Sequence, residues 1–218
     1  SKRVALIEKA APLGGAAVNT GTLPSKTLKD TIDYLQGLAR RGFPHLGADL
    51  VRRISFPDLM ARKDQVIRTE VAAVTDQLQR NHVEIIQSTA AFADPHTLHV
   101  TCRDGRIEHV RAAAIILATG SRPRRPPDIP FDDVTLCDSD SFLTTTKAPA
   151  SITVMGGGVV GAEYASMLGA FGIRVTLIDR RTQLLRFVDR DLMAVLDSHM
   201  RRNGVTMRLG EEIAEVTL

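Results

Sequence analysis

The sequence predicts an α/β chain built from two copies of one parallel, three-layer unit, and three observations support this. First, residues 3–9 (Arg-Val-Ala-Leu-Ile-Glu-Lys) and 174–180 (Arg-Val-Thr-Leu-Ile-Asp-Arg) are near-repeats. Each is a β-rich apolar run ending in a carboxylate and then a cation, and the two lie 171 positions apart. Second, Ser151–Met155 reads as a short strand and leads into Gly156-Gly157-Gly158-Val159-Val160-Gly161, followed by a helical run from Ala162 to Phe171. Third, the residues between the copies alternate helical and strand spacing rather than showing one period throughout.

Strand, Gly-x-Gly-x-x-Gly, helix, strand and acid, in that order, form a Rossmann-like dinucleotide-binding unit. Gly156 permits the tight turn, Gly158 lets the backbone approach a pyrophosphate, and Gly161 lets helix and sheet pack closely. The helix N-terminus, including Val159 and Val160, offers free N–H groups to the anion. Asp179, 23 residues after Gly156, would accept hydrogen bonds from a ribose. The alternative is a glycine-rich turn, but such a turn explains neither the flanking strands nor the acid. Applied to the first copy, the 171-residue offset puts its glycine loop before residue 1. The expectation is therefore two dinucleotide-binding domains. The first, 1–146, lacks its first strand and glycine loop, and the second, 147–218, is incomplete at its C-terminus.

The chain opens and closes on strand-like runs. Ser25–Arg41 carries Leu28, Ile32, Leu35 and Leu38 at helical spacing. Ser55-Phe-Pro-Asp58 resembles a capping box with proline in the first turn. Ile67, Val71, Val74 and Leu78 carry the amphipathic helix on to about Arg80, making residues 25–80 a helical excursion. A β-meander is expected over 83–111, with strands at Val83–Ile86, Leu98–Cys102 and Ile107–Arg111 and a turn at Asp104-Gly105. Ala113–Leu117 reads as a buried strand ending in Ala118-Thr119-Gly120. Four prolines between Pro123 and Pro130 rule out regular structure there and mark a connector.

Composition narrows the function. At 44% apolar and 24% charged residues over 218 positions, the chain is too mixed for disorder. Its apolar runs fall far short of the roughly 20 residues of a membrane span. No export leader opens it, and two cysteines are too few for a disulfide scaffold, so a cytoplasmic location is expected. A net charge of +3 and 4% aromatic residues argue against nucleic-acid binding, even with the basic cluster Arg122, Arg124 and Arg125. His96 and His99 do not converge as helical ligands would, while His45, His82, His109 and His199 stand isolated. No cysteine or carboxylate cluster completes a zinc site, and no metal is expected.

The segment Leu13-Gly-Gly-Ala-Ala-Val-Asn-Thr-Gly-Thr-Leu-Pro-Ser-Lys26 resembles the flavin-facing segment of the FAD-dependent pyridine nucleotide–disulfide oxidoreductases. The resemblance continues through Thr89-Ala-Ala-Phe92, Ala118-Thr-Gly-Ser-Arg-Pro123, Asp138-Ser-Asp140 and the glycine motif with Glu163, and so covers essentially the whole chain. It implies bound FAD and NAD(P), and a homodimer for the full-length parent. Members run to about twice this length, so the chain resembles an internal fragment. Glu8 would hold the FAD adenosine ribose. Gly14, Gly15 and the backbone through Ala17 would follow the pyrophosphate and ribityl chain, Ala90 would contact the adenine, and Thr119 and Gly120 would approach the flavin. Lys26 and Glu163 match an ion pair beside flavin N5, where a cation stabilises the reduced ring. Val159 stands where glutathione reductase has a flavin-shielding tyrosine, so no aromatic gate is expected.

One departure decides the chemistry. Where the reductases carry their two redox cysteines, this chain has Ala17 and Thr22. Dithiol exchange needs a thiolate, and neither residue supplies one; Cys102 and Cys137 lie far from the motif and read as incidental thiols. The soluble (Si-specific) NAD(P) transhydrogenase branch is the most similar, since it has threonine at the second position, although it often keeps the first cysteine. Hydride transfer between NADPH or NADH and NAD(P)⁺ through FAD needs no thiol. The alternatives are a dithiol-independent NAD(P)H reductase or diaphorase with another acceptor, or a nucleotide-binding fragment without catalysis. Asp179 favours the 2′-hydroxyl of NAD, whereas Arg180, Arg181 and Arg186 suit a 2′-phosphate. The expectation is use of both cofactors, against the plainer reading of a solvated arginine face.

Overall fold

The computed structural model describes residues 2–40, 53–102 and 104–218. They divide into two compact units, the first Ser1–Leu23 with Gln65–Arg122, the second Pro24–Asp64 with Pro123–Leu218. The chain thus changes unit at the start of the proline run, but the second unit also claims most of the helical excursion and residues 123–146, which the sequence reading grouped with the first domain. The reason is apolar. Leu28, Ile32, Leu35, Phe56, Leu59 and Met60 from the excursion share one core with Phe142, Tyr164, Leu168 and Leu177.

In the first unit, β1 (Ala5–Ile7) pairs in parallel with β2 (Glu84–Ile86), Leu6 opposite Ile85. A short helix α1 (Gly15–Asn19) follows β1. A separate antiparallel sheet is formed by β3 (Thr89–Asp94), β4 (Thr97–Thr101) and β5 (Ile107–Arg111), in that order. Two expectations change here. The 83–86 strand belongs with β1 rather than with the meander, because its apolar Ile85 and Ile86 match Leu6 and Ile7 in register. The meander's first strand is instead β3, whose small and polar residues gave no β signal.

The run at 113–117 is the larger correction. It is not a buried strand: it carries no strand assignment, and Ile116 and Leu117 are 89% and 71% exposed. A buried strand must share its backbone hydrogen bonds with a neighbour, and among the described residues no strand lies alongside this one; β1 pairs only with β2.

The second unit contains a parallel sheet in the order β6 (Ser151–Met155), β7 (Arg174–Asp179), β8 (Val205–Leu209). Helix α5 (Val159–Phe171) crosses from β6 to β7, and α6 (Arg190–Arg202) from β7 to β8. Between these strands, β7 alternates inward Val175 and Leu177, 2% and 0% exposed, which meet Ala165, Leu168 and Met200 in the core. The sequence reading assigned no element over 190–209, because the arginines and aspartates of α6 mask its apolar stripe. The closing run 211–218 has no regular structure and is not a strand.

The helices α2 (Thr22–Arg40) and α3 (Phe56–Arg80) begin or run through the second unit. The helix read as Ser25–Arg41 starts three residues earlier, and Arg41 and His45 lie outside the described residues. The Ser55–Asp58 capping box is present: Ser55 N donates to Asp58 Oδ2 at 2.8 Å, and Asp58 N to Ser55 Oγ at 3.3 Å. Gln36 Nε2 donates to Ala170 O at 2.6 Å, tying α2 to the end of α5. Lys63, only 5% exposed, donates to Leu143 O at 2.6 Å and pairs with Asp64 at 2.8 Å. This satisfies a carbonyl just past the short helix α4 (Ser139–Phe142). Phe142 packs edge-on between Phe56 and Tyr164, with ring centroids 6.3 and 5.7 Å away. Among the described residues no helix is long and apolar enough to cross a membrane.

Leu177→Ala is expected to destabilise the chain by about 2–5 kcal/mol, as a large-to-small change in a closed core does. Ile116→Ala, on the exposed run, should stay within about 0.5 kcal/mol of the parent. Urea denaturation of both variants checks the contrast, which disappears if 113–117 is a core strand.

Candidate functional site

The glycine loop of the second unit is shaped by backbone contact. Gly156 takes φ +102°, a left-handed value that disfavours any side chain, and its N–H donates to Ile178 O at 2.8 Å. A Cβ at Gly161 would overlap Gly156 O, and one at Gly157 would overlap Leu184 Cδ2. Around Gly158, by contrast, nothing lies within 4 Å of an added Cβ. The loop is therefore tight where it meets the sheet and open where it faces outward, an open cradle of the kind an anion can enter.

Gly158 is the N-cap of α5 and supplies no side-chain cap. Helix geometry leaves the N–H groups of Val159, Val160 and Gly161 without intrahelical acceptors, and Val159 and Val160 are 57% and 53% exposed. The positive end of the helix dipole coincides with these donors. The arrangement fits a pyrophosphate.

Asp179 ends β7 beside this loop, is 7% exposed, and is fully engaged. Its Oδ1 accepts from Arg181 N at 2.7 Å and Arg181 Nε at 2.9 Å; its Oδ2 accepts from Gly157 N at 2.5 Å and Arg181 Nη2 at 2.6 Å. The Arg181 side chain is the main reason that its pKa lies far below the usual carboxylate range. Asp179, expected to accept from a ribose, is thus already hydrogen-bonded, and Arg181 is paired with it rather than simply solvated. Arg180 and Arg186 are exposed, with no acidic partner among the described residues.

Lys26 and Glu163 are not joined. Lys26 Nζ pairs with Asp30 at 3.4 Å, both largely exposed, while Glu163 Oε1 accepts from Ser25 Oγ at 3.2 Å. Successive helix residues point about 100° apart, so Ser25 faces α5 and its neighbour Lys26 turns toward Asp30. Arg125, read as one of a small basic cluster, is neutralised by Asp133 and by Asp138, the latter at 2.6 Å, and its guanidinium lies 5.0 Å from the Phe131 ring centroid.

In the first unit, Glu8 follows β1, and its Oε1 accepts from Ala10 N at 2.9 Å. Glu8, Ala10, Leu13, Val71, Ile85 and Gln87 line a cavity of about 200 Å³. That is below the roughly 300 Å³ of a whole-ligand pocket, room for one end of a dinucleotide. Gly14 and Gly15 have φ +100° and +57°, and a Cβ on Gly14 would come within 2.5 Å of Val18 Cγ2. Ala17, Ala90, Thr119 and Gly120 are all exposed. Sequence reasoning missed Ser88, whose buried Oγ has no hydrogen-bond partner; a single serine in a polar stretch gives no signal.

Cys102 and Cys137 are free and part-buried, and desolvation pushes both thiols up. His99 and His109 are cross-strand partners with ring centroids 4.5 Å apart, so His109 is not isolated. Among the described residues no group of three or more His, Cys, Asp or Glu is arranged to hold a metal ion.

Comparison with known proteins gives a consistent picture. The family model described as pyridine nucleotide-disulphide oxidoreductase matches residues 1–217. A soluble pyridine nucleotide transhydrogenase of Mycobacterium tuberculosis is 42% identical over 216 residues, 99% of this chain and 46% of the relative. One from Colwellia psychrerythraea is 38% identical over the same shares. Among solved structures, LpdA of Mycobacterium tuberculosis superposes with a TM-score of 0.86 at 28% identity, over 99% of this chain and 47% of the other. The HOCl-induced flavoprotein disulfide reductase RclA of Escherichia coli gives 0.79 at 27% identity, over 98% and 45%. The chain spans under half the length of these relatives.

Gly161→Ala is expected to lose about 3 kcal/mol or more, because the overlap is with backbone that cannot repack; a thermal melt reads it. Asp179 also makes stability depend on pH. Its folded pKa is depressed, so its contribution is complete above the unfolded value near about 3.9 and fades as pH falls through the lower folded value. Asp179→Asn should therefore flatten the acid limb of a stability profile below about pH 4, which acid titration of unfolding in the two proteins checks.

Proposed function

The chain belongs to the pyridine nucleotide-disulphide oxidoreductase family, and from that premise we propose that it is part of a flavoprotein oxidoreductase that passes hydride between nicotinamide nucleotides without a redox disulfide. The observation that carries this reading is the outward-open glycine loop at the uncapped start of α5, with Asp179 directly beside it. Relatives named as pyridine nucleotide transhydrogenases and a structural neighbour named as a flavoprotein support it.

The roles follow residue by residue. In the second unit, Gly156, Gly158 and Gly161 shape a cradle in which the N–H groups of Val159–Gly161 bind the pyrophosphate of a nicotinamide nucleotide. In the first, Glu8 would accept from the adenosine ribose of FAD, with Gly14, Gly15 and Ala17 following its pyrophosphate and ribityl chain. Ala90, Thr119 and Gly120 offer backbone to the same cofactor, and the unpartnered Ser88 hydroxyl is a spare polar group nearby in sequence. Bound FAD would supply the hydride-carrying ring that links two nucleotides. Lys26 would contribute positive charge when that ring is reduced, and Glu163 the matching carboxylate, once Lys26 leaves its exposed partner Asp30. Such an exposed pair is worth at most about 1 kcal/mol, so the exchange is inexpensive.

The disulfide route has no support in the residues, since Ala17 and Thr22 hold the positions that a dithiol would need. NADPH and NAD⁺ would give NADP⁺ and NADH, a balanced two-electron exchange. A homodimer and a cytoplasmic location belong to the same proposal for the longer protein. A diaphorase with another acceptor is the second reading, favoured only by the absence of thiols at the motif.

The expected result is flavin absorbance close to stoichiometric with protein, together with hydride transfer from NADPH to an NAD analogue when the longer protein is assayed. Flavin bound and NADH oxidised by a dye, with no transfer between nucleotides, supports the diaphorase. No flavin and no nucleotide bound leaves a fragment without catalysis.

A further inference from the structure

The carboxylate at the end of β7 is saturated. A carboxylate has about four lone-pair sites, and Asp179 fills four: Arg181 N, Nε and Nη2, and Gly157 N, all within 2.9 Å. Three of the four come from one residue two positions on, and the guanidinium contributes a two-pronged contact to both oxygens. The arginine itself is only part-buried, with its side chain 39% exposed against 5% for the aspartate. A positive charge therefore lies between the acid and solvent. Arg180 and Arg186 are both exposed, without acidic partners among the described residues.

This changes what the site can tell apart. An open acid at this position selects nucleotides in two ways: it accepts from a ribose 2′-hydroxyl, and it repels a 2′-phosphate. Neither operates while its lone pairs and charge are taken up by Arg181. We propose that Arg181 is a specificity-determining counter-ion that masks Asp179, so that the site accepts nucleotides bearing a 2′-hydroxyl and those bearing a 2′-phosphate with similar affinity. The inference rests on the reading of the glycine loop as a nicotinamide-nucleotide site and deepens it. Arg181 acts through Asp179 rather than by gripping the phosphate. Gly157 completes the device: its N–H pins Oδ2, and the space its missing Cβ leaves is shared by Leu184 and Asp179.

The test is equilibrium titration of NADH and NADPH onto this chain, with the ratio of their dissociation constants as the readout. The parent should bind both within about tenfold of each other. Arg181→Gln unmasks the acid and should weaken NADPH by at least about tenfold, the cost of facing like charges, while NADH holds or tightens. Arg181→Lys keeps a positive charge beside the carboxylate and should stay near the parental ratio. The double variant Asp179→Asn with Arg181→Gln removes acid and mask together and should restore that ratio, with asparagine still able to accept from Gly157 N. Three outcomes overturn the proposal: Arg181→Gln weakening both nucleotides alike, which makes the pair a structural tie; NADPH staying weak in the double variant, which makes Arg181 a direct phosphate ligand; and a parental preference beyond about a hundredfold. A parent that binds neither nucleotide refutes the nucleotide-site reading itself, whatever the variants do.

Discussion

The backbone approach at Gly161 is the constraint on which the second unit depends. Helix α5 starts so close to the β6 turn that the space of a single methyl group is already taken by Gly156 O. That closeness lets Ala165 and Leu168 reach the sheet and meet Val175 and Leu177. It also fixes the direction of the α5 axis and so aims the free N–H groups of its first turn. The packing and the aim of these donors thus share one cause, and a side chain at this position would disturb both.

Around that junction the excursion helices close the core. Their apolar stripes, Leu28, Ile32 and Leu35 on α2 and Phe56, Leu59 and Met60 on α3, are buried with Phe142 and Tyr164. Polar contacts complete the arrangement without opening it. Gln36 reaches a carbonyl at the end of α5, the buried Lys63 covers Leu143 O, and Tyr164 Oη donates to Ser139 O at 3.2 Å. A buried carbonyl left unmatched would cost about 1–3 kcal/mol, so these side chains remove penalties more than they add attraction. The first unit is held more thinly. Its parallel pair has two strands of three residues, and the apolar run at 113–117 stays in solvent.

Much of this was legible in the chain. Periodicity marked α2 and α3, the capping box marked where α3 begins, and the glycine spacing marked the β6–α5 junction. What escaped was of two kinds. The segments β3 and α6 are weak in local signal: β3 is mostly small residues, and α6 is dense in charge around a narrow stripe whose Met200 alone is fully buried. The run 113–117 has the opposite character, a strong local signal without a strand beside it among the described residues. Strand pairing is a property of two segments, so no amount of apolar content in one can supply it.

The order of residues sets which groups are available: glycines where backbone must come close, an acid at the end of the strand that follows, and no thiol from Leu13 to Lys26. Those are statements about which atoms exist. Which of those atoms are already committed follows from the fold. It turned Lys26 toward Asp30, gave Glu163 to Ser25, and wrapped Asp179 in Arg181 and Gly157. The reason is geometric. A charged side chain takes the nearest partner its backbone direction allows, and that direction is fixed by helix phase and strand register, which form only when the chain folds.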